Sequence, residues 1–275
     1  MKASDYRRQY EAQLAASSSF TDGLRAAAAP EIDAEDDIPS LLAIAADKTA
    51  SEDDRQAALE QVHAATFLGQ AFDGHRAEYL AALRKLITDD APALRRLALE
   101  WLSAVKDDVA QKALAEGLKN PAKALVSAAN ALEFLSLDEH SAVTPLARLV
   151  LERDKDLETR VAALRTLTAD PNAADLFERF MRDKDEFKEV RQISAVGLQK
   201  LNENLFQKVA QQIAVDDHDF DDIRATALNG LARSPIAEQL LSNPAVRASA
   251  KAIGEKLSSN AFSALLSRIR PGSDA

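Results

Sequence analysis

Six nine-residue segments of this chain share one pattern. A chain that repeats itself at such intervals buries its apolar faces by stacking copies of one small unit on the next. The segments are DRQAALEQV (54 to 62), LRRLALEWL (94 to 102), TRVAALRTL (159 to 167), VRQISAVGL (190 to 198), IRATALNGL (223 to 231) and VRASAKAIG (246 to 254). Each places arginine second, a small residue fifth and, in most, an apolar residue ninth. The arginines are Arg55, Arg95, Arg160, Arg191, Arg224 and Arg247. The wide gap between Arg95 and Arg160 leaves room for one more unit. ALVSAANAL (124 to 132) fills it, with Leu125 in the arginine's place.

Between these segments lie apolar runs of helical period: IPSLLAIAA (38 to 46), YLAALRKLI (79 to 87), VAQKALAEGL (109 to 118), VTPLARLVL (143 to 151), ADLFERFM (174 to 181) and FQKVAQQIAV (206 to 215). Apolar residues at i, i+3, i+4 and i+7 put one stripe on a core, so each unit is predicted to be two helices. With only 8 Gly and 9 Pro, and heavy use of Ala, Leu, Glu, Lys and Arg, the composition points to an all-α chain. Pro39, Pro92, Pro121, Pro171, Pro235 and Pro244 are expected in first helical turns, where a missing N–H breaks no bond.

Paired helices whose second member opens on an acid or turn residue and runs on through an apolar residue, Arg, a small residue and Leu resemble the HEAT repeat family, in its short bacterial form. The best copies are DAPALRRLALEWL (90 to 102), EFKEVRQISAVGL (186 to 198) and DFDDIRATALNGL (219 to 231). The resemblance implies an all-α, right-handed superhelical α-solenoid of about seven two-helix repeats. It implies a repeat region over 38–259, preceded at 1–37 by a helix near Ala3 to Ala16 and an acidic linker, and followed at 260–275 by a capping helix and tail.

A net charge of −10 disfavours nucleic acid, whose phosphates call for a positive field. No run is long and apolar enough for a membrane span, and the first residues lack the apolar core of a secretory signal. The absence of cysteine fits a reducing cytoplasm, and the expectation is a cytoplasmic monomer. No phosphate-cradling glycine loop, nucleophile signature or zinc spacing occurs. No catalytic, cofactor-binding or metal-binding residue is therefore assigned. His63, His75, His140 and His218 are expected on exposed helix faces or turns. Trp101 is expected in the core beside Leu94, Ala98 and Leu102, and Phe177 and Phe180 on a packing stripe.

The acidic run VDDHDFDD, ending at Asp222, poses a choice. Asp217, Asp219 and Asp221 have the one-three-five spacing of a calcium loop. Its sixth position, however, is Asp222 rather than Gly, and its twelfth is Leu228 rather than Glu. The favoured reading is a turn whose aspartates cap the second helix and offset its partial positive charge.

What remains is a surface. The third and seventh positions of each segment lie roughly 200° and 240° from the apolar stripe. They are Gln56 and Glu60, Arg96 and Glu100, Val126 and Asn130, Val161 and Arg165, Gln192 and Val196, then Ala225 and Asn229. In a HEAT-like stack this ledge would line the concave side. Its mix of polar residues with Val126, Val161 and Val196 fits either a groove for another protein or peptide segment, or a solvated face. The leading functional expectation is a non-enzymatic scaffold that binds a partner protein. The alternatives are enzymes on HEAT-like repeats. One is a relative of the phycobilisome (bilin) lyases. The other is a DNA glycosylase, which would need a basic groove that this acidic chain lacks.

Overall fold

The computed structural model describes residues 38–138 and 142–257. The expected N-terminal helix and linker, the C-terminal cap and His140 lie outside them. The described residues are helical, with no strand among them. They belong to two compact units divided in sequence between Tyr79 and Leu80.

In the first unit, α1 (Ile38–Ala46) packs on α2 (Glu52–Ala65), and a 3-10 segment (Thr66–Phe72) follows. Ser51 starts α2 by accepting the N–H of Asp54 at 3.1 Å, satisfying a donor that has no partner within the helix. Helix α3 (Arg76–Leu86) comes next.

The second unit continues with α4 (Pro92–Ala104), α5 (Asp108–Lys119), a 3-10 turn (Pro121–Lys123), α6 (Ala128–Leu135), α7 (Val143–Arg153), α8 (Leu157–Leu167) and α9 (Ala174–Arg182). It is completed by α10 (Lys188–Leu201), α11 (Glu203–Val215), α12 (Asp221–Arg233), α13 (Ala237–Leu241) and α14 (Pro244–Leu257). Helices adjacent in sequence pack in pairs: α7 packs on α8, α9 on α10 and α11 on α12. Second helices of consecutive pairs then pack on one another, α4 on α6, α6 on α8, α8 on α10, α10 on α12 and α12 on α14. This is the stacked arrangement the repeats predict.

In the second unit a leucine column marks the interior: Leu99, Leu164 and Leu228 each fall on the eighth residue of their helix and are fully buried. Two glycines let helices approach closely. The Phe177 ring of α9 lies against Gly197 of α10, and the Phe206 ring of α11 against Gly230 of α12. Phe177 and Phe180 are buried as expected.

Several expectations need correction. Pro171 and Pro235 lie in turns just ahead of α9 and α13, whereas Pro39, Pro92, Pro121 and Pro244 do sit in first turns. Trp101 is only half-buried, although Leu94, Ala98 and Leu102 beside it are fully buried. The third repeat is out of register: Ser127 caps a helix beginning at Ala128, so the first four residues of ALVSAANAL precede the helix. The arginines of the column all occupy the fourth helical residue, and in α6 that place belongs to Ala131, not Leu125.

Candidate functional site

Of the ledge residues, none of Gln56, Glu60, Arg96, Glu100, Val126, Asn130, Val161, Arg165, Gln192, Val196 and Asn229 is buried, but Ala225 is. The paired positions three and seven are one helical turn apart, and the side chains meet where their chemistry allows. Gln56 donates to Glu60 at 2.8 Å, and Arg96 pairs with Glu100 at 2.7 Å. On the adjoining helices α8 and α10 the ledge carries Val161, Arg165, Gln192 and Val196. Val196 is 61% exposed, among the most exposed large apolar side chains described. Gln192 reaches α12, donating to the Thr226 hydroxyl at 3.4 Å. Val126 and Asn130 do not share this geometry. Val126 precedes α6, Asn130 is its third residue, and the fifth residue of α6, where the ledge would begin, is the fully buried Leu132.

Four of the six repeated arginines, Arg55, Arg160, Arg191 and Arg224, are buried, whereas Arg95 and Arg247 are partly exposed. In three pairs the Nε–H donates to the penultimate carbonyl of the preceding helix: Arg55 to Ala45 at 3.0 Å, Arg191 to Met181 at 3.1 Å and Arg224 to Ala214 at 3.3 Å. Helix C-termini leave such carbonyls without intrahelical partners, and a cation there also meets the negative end of the helix dipole. The far end of the guanidinium then crosses to the following pair. Arg191 grips Asp219 with two parallel bonds of 2.7 and 2.6 Å, Arg160 pairs with Glu186, and Arg224 reaches the Ser249 hydroxyl at 2.9 Å. The column is thus a series of structural rungs rather than an open anion site.

Those rungs also explain the acidic turn. Asp219 is buried against Arg191, and Asp221 pairs with Arg224 at 3.3 Å, so two of the three calcium-spaced aspartates are already engaged. The residue at the cap of α12 is Phe220, with no side-chain bond, which corrects the expectation of an aspartate cap. The acids Asp221 and Asp222 do occupy the first turn. Asp216, Asp217 and His218 bring their ligand atoms within 4.8 Å of one another at the surface. Lys184 binds Asp216 at 2.6 Å and holds its carboxyl below the usual range, together with the His218 N–H.

A second set of inter-repeat bonds runs along the other end of the pairs. Arg84 clasps Asp107 through Nε at 2.9 Å and Nη2 at 2.6 Å, and Arg148 clasps Asp170 through Nε at 3.1 Å and Nη2 at 2.5 Å. Gln111 donates to Asp138 and Gln207 to Ser234. Burial alone would raise Asp107, but Arg84 and the N–H groups of Ala110 and Val109 outweigh it and leave the carboxyl lowered. Asp170 shows the same contest between burial and the Asn172 N–H with Arg148, with the same outcome. The sequence reading missed these bonds. The only local signal was an arginine in two of the first helices, Arg84 and Arg148, with an aspartate some two dozen residues on.

The histidines divide. His218 is exposed as expected, and His75 is partly buried. His63 is half-buried, with Nδ1 2.7 Å from the Tyr79 hydroxyl, and burial lowers its pKa. Burial raises that of Tyr79.

No family model matches the chain, and no curated protein matches it. Among solved structures, it is similar to a chain in the complex of CpcE and CpcF of phycocyanin lyase from Nostoc sp. PCC7120. That similarity has 16% identity and a TM-score of 0.35, covering 69% of this chain and 94% of the other. Likeness at this level carries nothing about activity. No described helix is long and apolar enough to cross a membrane.

Proposed function

We propose that this chain is a non-enzymatic scaffold of HEAT-like repeats that holds a segment of a partner protein along the ledge. One observation supports the reading above others. The adjoining helices α8 and α10 present Val161, Arg165, Gln192 and Val196 as a strip in which apolar and polar side chains alternate, with Val196 61% exposed. A face that only meets water has no need of such valines, whereas an extended or helical segment of another protein would cover them while bonding to the polar neighbours. The buried Arg191 and Asp219 of the stack, by contrast, are taken up in a structural rung.

The test is affinity capture with the wild type and with a Val161→Asp, Val196→Asp double variant. The double variant should lose partners that the wild type retains while melting at the same temperature. Retention of the same partners would refute the ledge as the binding face. Unfolding would show that these valines support the core.

A further inference from the structure

We propose that the third repeat contains a slot for an arginine side chain supplied by a partner protein. The column of fourth-position arginines is broken at one place, where α6 has Ala131. Beside it opens a recess of about 320 Å3, walled by Leu114, Leu118 and Ala131 and rimmed by Arg153, Asp154 and Asp156. That volume falls at the small end of ligand pockets, which run from roughly 300 to 1,000 Å3.

The intact rungs show what this place accepts. In them an arginine stem crosses the helix pair and its head caps the penultimate carbonyl of the first helix, Ala45, Met181 or Ala214. The equivalent carbonyl here is that of Leu118, since α5 ends at Lys119. It accepts instead from Nη1 of Arg153 at 2.7 Å, a residue that comes from α7 of the following pair. Arg153 then closes on its neighbour Asp154 with two bonds of 2.7 Å. The backbone acceptor is therefore satisfied by a substitute, while the volume of the stem beside Ala131 stays open.

Charge selects the occupant. Arg191 faces one buried carboxylate, Asp219. Arg153 shares its recess with two, Asp154 and Asp156, and with the carbonyl end of α5. Asp156 uses one oxygen to cap α8 at the Thr159 N–H, 2.9 Å away. An alkyl stem tipped by a delocalised cation matches apolar walls with a surplus of negative charge at the rim. A partner segment with an exposed arginine would complete the broken column. This source of the arginine rests on the scaffold reading, but the slot is testable without any partner.

The probe is N-acetyl-arginine amide, titrated into the full 15N-labelled chain, with N-acetyl-citrulline amide as its neutral isostere. The amides of Gly117 and Ser127 should shift and saturate with the arginine probe, and the citrulline probe should bind at least about tenfold more weakly, the loss expected when one charge-assisted bond goes. Ala131→Arg should fill the slot from within and abolish the shifts. Asp156→Asn keeps an acceptor to cap α8 but deletes the charge, and should weaken binding. No shift at Gly117, equal binding of citrulline, or unchanged binding in Asp156→Asn would each overturn the proposal. If Ala131→Arg does not fold, the Asp156→Asn result decides. These outcomes do not depend on the ledge variants, so the slot and the scaffold reading can fail separately.

Discussion

Replacing Arg191 by alanine tests whether the column is structural. Arg191 is 1% exposed, bonds the Met181 carbonyl through Nε and holds both oxygens of Asp219, itself buried. The substitution strands that carboxylate in the interior and leaves the carbonyl without its cap. Removing one partner of a buried, hydrogen-bonded pair costs about 3–5 kcal/mol, because the remaining charge keeps its desolvation penalty. At roughly 2–4 °C per kcal/mol for a chain of this size, the melting temperature should fall by roughly 6 to 20 °C. Arg165→Ala on the exposed ledge removes a similar side chain without such a partner, and should stay within about 0.5 kcal/mol of wild type. Converting both members of the pair, Arg191→Met with Asp219→Leu, should recover much of the loss, since apolar side chains of like volume fill the space without a stranded charge. Thermal melts by circular dichroism measure all three. A single variant that melts with the wild type, or a double variant no better than the single, would refute this account.

Gly197→Ala should destabilise despite alanine's better helix propensity. Its Cβ would lie 2.7 Å from the Phe177 ring, and overpacking of about 1–3 kcal/mol outweighs a gain of about 1 kcal/mol, as urea unfolding would show. Calcium should bind no tighter than about millimolar at the 216–222 turn, because Asp219 and Asp221 are spent on arginines, and calorimetry finding micromolar affinity would contradict this. Because burial lowers His63 in the folded state from its ordinary 6.5, the unfolded chain binds that proton more tightly. The stability contributed is therefore present above pH 6.5 and is lost as pH falls through the folded value, and His63→Gln should flatten that part of the stability–pH curve.

The helices of the stack were legible because each carries its own apolar period; α1 coincides with the predicted run 38 to 46. The ledge positions on α4, α8 and α10 followed from the same period. The third repeat misled because its marker arginine is absent and a 3-10 turn, Pro121–Lys123, shifts the helix start to Ala128, where the Ser127 cap sets the register in place of the arginine pattern. Asp219 misled for a different reason. Its cap-like position is local, but its strongest partner, Arg191, is 28 residues earlier, and only the stacking of two repeats brings them together. Trp101 lies at the edge of the apolar arc, where a wide side chain meets both core and water.

Synthesis gives the column a direction in time. Arg160 finds Glu186 26 residues downstream, Arg191 finds Asp219 28 downstream, and Arg224 finds Ser249 25 downstream. Each cation is thus made before the group that neutralises or solvates it in the interior. At roughly 5–20 residues per second, a helix pair leaving the ribosome waits a few seconds with its arginine unable to settle into the core. Closure of one repeat therefore follows the birth of the next, so the stack should consolidate from its N-terminal side, one pair behind the growing end.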